Sequence, residues 1–236
     1  MSVRLSAEAR VLRPEQGATD PGDVAPVATV FPFVRPETAS SPRRFARGLS
    51  PRKRIFDFMI ASIALALLAP PLALIWLAVR LTSRGPGLHW SERIGRDGQS
   101  FWMPKFRTMH VEAPSAAREL LANAKEHITP LGGLLRRWSV DELPQLVCIV
   151  KGDMSFVGPR PLLPEDPGQA ARHAFPDALA VRPGLSGLAQ VRGRNQVSPR
   201  RKARLDAFYA RARSGPYDLE IFARTFLVLI TGRGFM

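Results

Sequence analysis

Cysteine is nearly absent from this 236-residue chain. Cys148 is the only one, so no intrachain disulfide can form, and the usage suits a reducing cytosolic setting. Zinc-ligand spacing is missing as well: His89, His110, His127 and His173 form no recognisable ligand pattern, and no transition-metal site is expected. Acidic residues are scarce, 20 against 34 Lys plus Arg, leaving a formal charge of +14. Such an excess calls for an anionic partner: nucleic acid, anionic lipid or a phosphorylated substrate. Half of it lies between Val191 and Arg213, where eight basic residues stand against Asp206 alone. That stretch has only Phe208 and Tyr209 as aromatics. A single-strand binding surface interleaves aromatics with cations, so their absence counts against a nucleic-acid partner.

Charge is missing altogether from Phe58 to Val79, 22 residues in which Ser62 is the only hydroxyl. At about 1.5 Å per residue this run reaches roughly 33 Å, enough to cross a hydrocarbon core. Two features oppose a simple span. Pro70 and Pro71 fall mid-segment, where they remove amide donors and clash with the preceding turn. Basic residues also flank both ends, Arg52, Lys53 and Arg54 before and Arg80 and Arg84 after, and both ends then prefer the cytoplasm. The expected arrangement is a re-entrant helix-break-helix over residues 51–84, with Pro70 and Pro71 at the membrane helix break. A Pro-kinked spanning helix and a buried core hairpin are its alternatives.

The first fifty residues lack a sustained period and are punctuated by Pro14, Pro21-Gly22, Pro26 and Pro36. They read as a disordered extension without a signal peptide. Residues 85–236 are expected to form the main folded domain. Within it, Arg96-Asp97-Gly98 predicts a β-hairpin with Phe101-Trp102-Met103 as return strand. Residues 114 to 126 read as a helix, and Thr129-Pro130-Leu131-Gly132-Gly133 precedes a second helical start. Arg182-Pro183-Gly184-Leu185-Ser186-Gly187 reads as a tight loop, and Gly158-Pro159-Arg160-Pro161 as a rigid turn that holds Arg160 at a defined angle. Leu219, Phe222, Phe226, Leu229 and Ile230 make one apolar helical stripe, suited either to a core or to a membrane surface.

The chemistry concentrates in Ser139-Val140-Asp141-Glu142-Leu143-Pro144-Gln145-Leu146. Ser139 and Glu142 fit a capping box, the bland account of the acids. A helix start also presents amides to phosphate, so the same place suits a carboxylate working on a diphosphate. An aspartate is ionised at neutral pH and needs no general base to act as a nucleophile. It does need its repulsion from phosphate cancelled, for which Lys105, Arg107, Arg136 and Arg160 are candidates. Arg107 and Arg137 are equally well read as surface cations, and the arginines from Arg200 to Arg213 are better read so.

Taken in order, these motifs resemble the bacterial sugar transferases, the monotopic polyprenyl-phosphate phosphoglycosyl transferases. The likeness runs over about residues 51 to 232. It begins at KRIFD (Lys53 to Asp57) and the proline-broken apolar segment, and continues through KFRTM (105–109) and LRRWSVDELPQL (135–146). KGDMSFVGPRPLLP (151–164), RPGLSGLAQVRGRN (182–195) and a helix from Asp218 to Thr231 complete it. Cys148 and the Val197-Ser198-Pro199-Arg200 segment depart from the family pattern, and the second leaves the sugar open. The resemblance implies an α+β, mostly helical monotopic protein with a small cytoplasmic catalytic domain at the inner (plasma) membrane. It implies transfer of a sugar 1-phosphate from a UDP-sugar to undecaprenyl phosphate, with release of UMP, to start an exopolysaccharide, capsule or other glycan. Asp141 would be the nucleophile and Glu142 a ligand of Mg²⁺, while Lys105, Arg136 and Arg160 bind the substrate phosphates or nucleotide. Membrane phospholipids are further partners, and the sequence is compatible with a homodimer. A catalytically inactive membrane-bound scaffold or regulator is the alternative function.

Overall fold

The computed structural model describes residues 50–113, 126–192 and 197–231. In chain order these form α1 (Pro51–Thr82), β1 (Leu88–Ile94), β2 (Ser100–Phe106), α2 (Pro130–Arg137), α3 (Leu146–Lys151), β3 (Ser155–Val157), α4 (Gly168–His173), β4 (Gly184–Ser186), α5 (Leu188–Arg192), α6 (Pro199–Ala212) and α7 (Gly215–Thr231). The α+β, mostly helical class is therefore observed. Short 3-10 turns over Arg96–Gly98, Val140–Gln145 and Pro176–Leu179 link the elements. The expected extension before residue 50, the expected helix over 114–126 except its last residue, and the Gly193-Arg194-Asn195 segment lie outside the described residues.

α1 starts with Pro51 at its first position, where the missing amide costs nothing. One stripe at helical spacing, Asp57, Ala61, Leu65, Leu68, Leu72, Ile75 and Val79, turns toward the rest of the chain. Ala61 joins Met103 of β2 with Leu146, Cys148 and Ile149 of α3 and Met154 in one core cluster, which Leu65 and Leu68 partly cover. Val79 joins Phe106 and Leu135 in a second, covered by Leu72 and Ile75. Full burial of an Ile or Met such as Ile149 or Met154 contributes ~1.5–3 kcal/mol. The outward face of α1 is apolar but exposed, from Ile55 and Phe56 through Ile63 and Leu67 to Leu74 and Leu81.

The expected break at Pro70-Pro71 is not seen, because both prolines lie inside one helix. Their missing amides deprive only the carbonyls of Ala66 and Leu67 of a partner four residues on. Leu67 is on the outward face, 74% exposed. Leu68 and Leu72 are anchored on the two core clusters to either side, so tertiary packing carries the helix through.

β1 and β2 pair antiparallel from Leu88↔Phe106 to Ile94↔Ser100. The expected hairpin is present, its turn closed by Asp97 at φ 54° and Gly98 at φ 77°. β3 and β4 pair parallel, so the segment read as a tight loop is a strand. Gly184 permits this close approach: a Cβ there would lie 2.0 Å from the Gly158 amide nitrogen. The gap that two facing glycines leave is thus taken up by backbone.

Thr129 caps α2, accepting a hydrogen bond from the Gly132 amide at 3.0 Å, with Pro130 as first residue. In α6, Ala203, Asp206, Ala207 and Ala210 form the buried face. Arg200, Arg201, Arg204 and Arg211 are exposed, as surface cations should be. On α7, Leu219, Phe222 and Phe226 are exposed, while the side chains of Leu229 and Ile230 lie outside the described residues.

Candidate active site

α2 ends at Arg137, and the chain turns sharply before the two acids. Ser139 takes φ 54°, a left-handed conformation that costs a non-glycine residue roughly 1 kcal/mol or more, and it begins the 3-10 turn Val140–Gln145. Pro144 lies within that turn; its ring disfavours an α conformation at Leu143, which accounts for the tighter helix. The capping box is not formed. The Ser139 side chain makes no cap bond, and the Glu142 amide donates instead to the Ser139 carbonyl at 3.2 Å. The Glu142 carboxylate is released from capping and turns to cations.

Lys105, near the end of β2, donates from Nζ to Glu142 Oε1 at 2.9 Å. Arg160, following β3, donates from Nη2 to the same oxygen at 3.4 Å. Burial alone would raise the Glu142 pKa, but Lys105 and Arg160 outweigh it and hold the carboxyl down at about 2. Asp141, 9% exposed, goes the other way: burial and the neighbouring Glu142 push it up to about 6 against the pull of Lys105 and Arg136. Adjacent carboxylates thus differ by about four pKa units. Asp141 is therefore a higher-energy anion than an ordinary aspartate. Arg136 reaches Asp141 electrostatically while its Nε donates to Thr108 Oγ1 at 2.7 Å.

The sequence-predicted Asp141, Glu142, Lys105, Arg136 and Arg160 are therefore brought together. Arg107 is not among them. It is 7% exposed, and its guanidinium donates to the Ser83 carbonyl at 2.8 Å, to Ser83 Oγ at 2.8 Å and to the Arg84 carbonyl, closing the end of α1. Arg137 is exposed.

Two residues of the cleft escaped the sequence reading. Arg93 of β1 lines it with Lys105, Glu142, Gln145 and Arg160, and burial with the nearby Arg160 lowers its pKa to about 10. Nothing local in Ser91-Glu92-Arg93 marks it. Gln145 is 3% exposed, and its Nε2 has no hydrogen-bond partner. It stands three residues after Glu142, on the same side of a 3-10 turn, a spacing from which it could have been found.

Among the described residues no three His, Cys, Asp or Glu side chains gather into a metal cage. Asp141 and Glu142 supply hard oxygens, and both cationic partners of Glu142 use Oε1. A cation taking one or two carboxylates and completing its shell with phosphate oxygens and water matches this donor set, and Mg²⁺ is such a cation.

The model of the family described as bacterial sugar transferase matches residues 49–232. The chain is similar to the exopolysaccharide production protein ExoY of Rhizobium meliloti (strain 1021), with 38% identity over 218 residues, 86% of this chain and 95% of that one. It is 39% identical over 189 residues to the UDP-glucose:undecaprenyl-phosphate glucose-1-phosphate transferase of Caulobacter vibrioides, covering 76% of this chain and 70% of the relative. Against the undecaprenyl-phosphate galactose phosphotransferase of Salmonella typhimurium the identity is 34% over 197 residues, 77% of this chain and 41% of the relative.

Proposed function

The chain belongs to the bacterial sugar transferase family, and from that premise we propose that it transfers a sugar 1-phosphate from a UDP-sugar to undecaprenyl phosphate. The product would start assembly of an exopolysaccharide or related glycan. The names of its relatives support the reaction class, with glucose and galactose both among their sugars. The observation that carries the mechanism is the split between the two acids. Glu142 is locked as an anion by Lys105 and Arg160, while Asp141 is a buried, destabilised anion beside it.

In the first half-reaction an Asp141 carboxylate oxygen attacks the β-phosphorus. The bond from that phosphorus to the bridging oxygen breaks, its electron pair leaving with UMP. In the second, an oxygen of undecaprenyl phosphate attacks the same phosphorus and the bond to Asp141 breaks. The scheme is ping-pong nucleophilic catalysis by a carboxylate. Lys105, Arg160 and Arg136 neutralise and orient the phosphates, and Arg160 serves the nucleotide side. Glu142 would hold Mg²⁺, with Asp141 beside it; when bound, the ion supplies charge neutralisation on the phosphate oxygens.

α1 supports a monotopic placement at the cytoplasmic face of the inner membrane. It is long and apolar enough to cross a bilayer. Yet its first turns are tied to the catalytic domain by Lys53 on Asp218 at 2.7 Å and Arg54 on the Ile149 and Val150 carbonyls at 2.7 Å. Its last turn is tied to the same domain through Ser83 and Arg107. A continuous helix with both ends fastened to one polar domain favours a placement that keeps both ends on the same side of the membrane. Cysteines placed at residues 52 and 84 should label from the same side of the membrane; labelling from opposite sides would refute this topology. Native Cys148 will not interfere, since burial pushes its thiol up to about 11.

The reaction itself is tested by UMP release from a panel of UDP-sugars with Mg²⁺ and undecaprenyl phosphate, in detergent. Lipid-dependent UMP from one donor, absent in Asp141→Asn, is the expected result. Folded wild-type protein that releases UMP from none of them would sink the proposal.

A further inference from the structure

We propose that Arg172, braced by Asp206, is the positioning residue for Arg160, and through it sets how well the cleft takes the diphosphate of the sugar donor. The inference rests on the reaction proposed above. Arg172 on α4 and Asp206 on α6 are among the most buried charged residues described, 4% and 3% exposed. One nitrogen, Arg172 Nη2, donates to Asp206 Oδ2 at 2.7 Å and to the backbone carbonyl of Arg160 at 2.7 Å.

The segment around Arg160 is pinned before and after it by backbone bonds. The Gly158 amide donates to the Ser186 carbonyl and the Gly184 amide to the Pro159 carbonyl, both at 2.9 Å, and the Ile94 amide reaches the Leu162 carbonyl at 2.9 Å. Pro161 has no amide to offer. Between Pro159 and Leu162, the hydrogen bond from Arg172 ties down the Arg160 backbone.

Arg160 needs such a tie. Its side chain is 49% exposed, at the longer of the two distances from Glu142, and Arg93 and Lys105 stand near it as like charges. Repulsion among three cations drives the most exposed one outward unless its backbone is fixed. A buried ion pair carries a desolvation penalty that an apolar pair would avoid. What the apolar pair cannot do is donate to the Arg160 carbonyl.

That contrast supplies the experiment. Arg172→Met/Asp206→Leu replaces the pair with packed apolar groups, which leaves no uncompensated charge and preserves folding. It is compared with Arg160→Ala and with the combined variant. For the apolar pair we expect unchanged Tm, donor kcat/KM lower by about 10- to 100-fold and acceptor kcat/KM unchanged. On the Arg160→Ala background the pair should cause no further loss, as required of residues acting through one another. Equilibrium binding of UDP with Mg²⁺ follows the same variants without turnover and should show the same loss and the same non-additivity. Unchanged donor kcat/KM and UDP affinity, equal losses for donor and acceptor, or full additivity with Arg160→Ala would each overturn the proposal. Should the apolar pair not purify folded, Arg172→Gln/Asp206→Asn is read by the same criteria, its shorter amide no longer spanning to the carbonyl. Wild-type protein that binds UDP but turns over no UDP-sugar would sink the reaction while leaving positioning measurable; wild type that binds no UDP sinks both.

Discussion

Two clusters of acids and cations in this molecule use nearly the same parts and do opposite things. At the root of α1, Asp218 has both oxygens engaged, Oδ2 by Lys53 at 2.7 Å and Oδ1 by the Tyr209 hydroxyl at 2.7 Å. Tyr209 shares its one hydroxyl proton between Asp218 Oδ1 and the Val157 carbonyl, and Ser155 donates to Asp57 at 2.7 Å, so helix, strand and C-terminal helices are knotted together. Burial and the nearby Asp218 hold the Tyr209 phenol well above its usual range, which keeps it a donor. In the cleft, two cations crowd onto one oxygen of Glu142, Asp141 is a buried anion kept high in energy, and the Gln145 amide has no partner. A closed network stabilises the fold. An open one stores unmet interaction that a diphosphate can satisfy.

The contrast is tested most severely by Asp141→Asn. Turnover should fall by ~10⁴ or more, as for loss of a nucleophile in a unit that acts together, while Tm at pH 7 rises because a destabilised buried anion is gone. A lower Tm would mean that Asp141 belongs with the structural acids. Glu142→Gln should lower kcat by about 10²–10³ at a fixed Mg²⁺ concentration, and the Mg²⁺ concentration for half-maximal turnover should rise; an unchanged Mg²⁺ requirement would take Glu142 out of the cation site. Asp218→Asn should do the reverse of both, costing roughly 1–3 kcal/mol of stability with specific activity of the folded fraction retained. Denaturant unfolding in detergent alongside UMP release separates the two effects.

A more gradual effect is expected in pH dependence. The folded pKa of Asp141, about 6, lies above its ordinary value of 3.8, so the folded state holds this proton more tightly. Its contribution to stability is present below pH 3.8 and is lost as pH rises through about 6, by order of 2–3 kcal/mol. Glu142 has the opposite sign: its contribution is present above pH 4.5 and lost as pH falls through about 2. Between pH 4.5 and 6, then, wild type should lose stability with rising pH relative to Asp141→Asn, while donor kcat/KM climbs toward a plateau above pH 6. Parallel Tm profiles for the two proteins would contradict the burial of this acid.

Ordered motifs made the grouping of Asp141, Glu142, Lys105, Arg136 and Arg160 legible, because charges in a fixed sequence context can be read without knowing where the chain folds. The hairpin was legible because Asp-Gly supplies the positive φ its turn requires; α2 instead starts at Pro130, inside the segment expected to precede it, because Thr129 caps the helix and Pro130 suits its first position. Residues whose role depends on long-range neighbours were not. Arg107 and Arg160 look alike in sequence, yet one closes a helix end and the other faces a carboxylate. Arg93 is ordinary until β1 is laid beside the segment carrying Arg160. The capping box was misread for a local reason, since Pro144 two residues beyond Glu142 already argued against an α-helix there. The strand at Gly184–Ser186 went unseen because three residues with a glycine carry no alternation, and its pairing with Ser155–Val157 exists only in three dimensions.

The fastening of α1 at both ends has a bearing on how the protein could be built into something larger. A chain joined ahead of Ser50 inherits the position of Lys53 and Arg54, which is that of the catalytic domain. A fused reporter, a second enzyme or a tether would therefore share the compartment of the cleft, needing neither export nor a further hydrophobic passage. Its effective concentration over that cleft would be set by the length and stiffness of the joining segment.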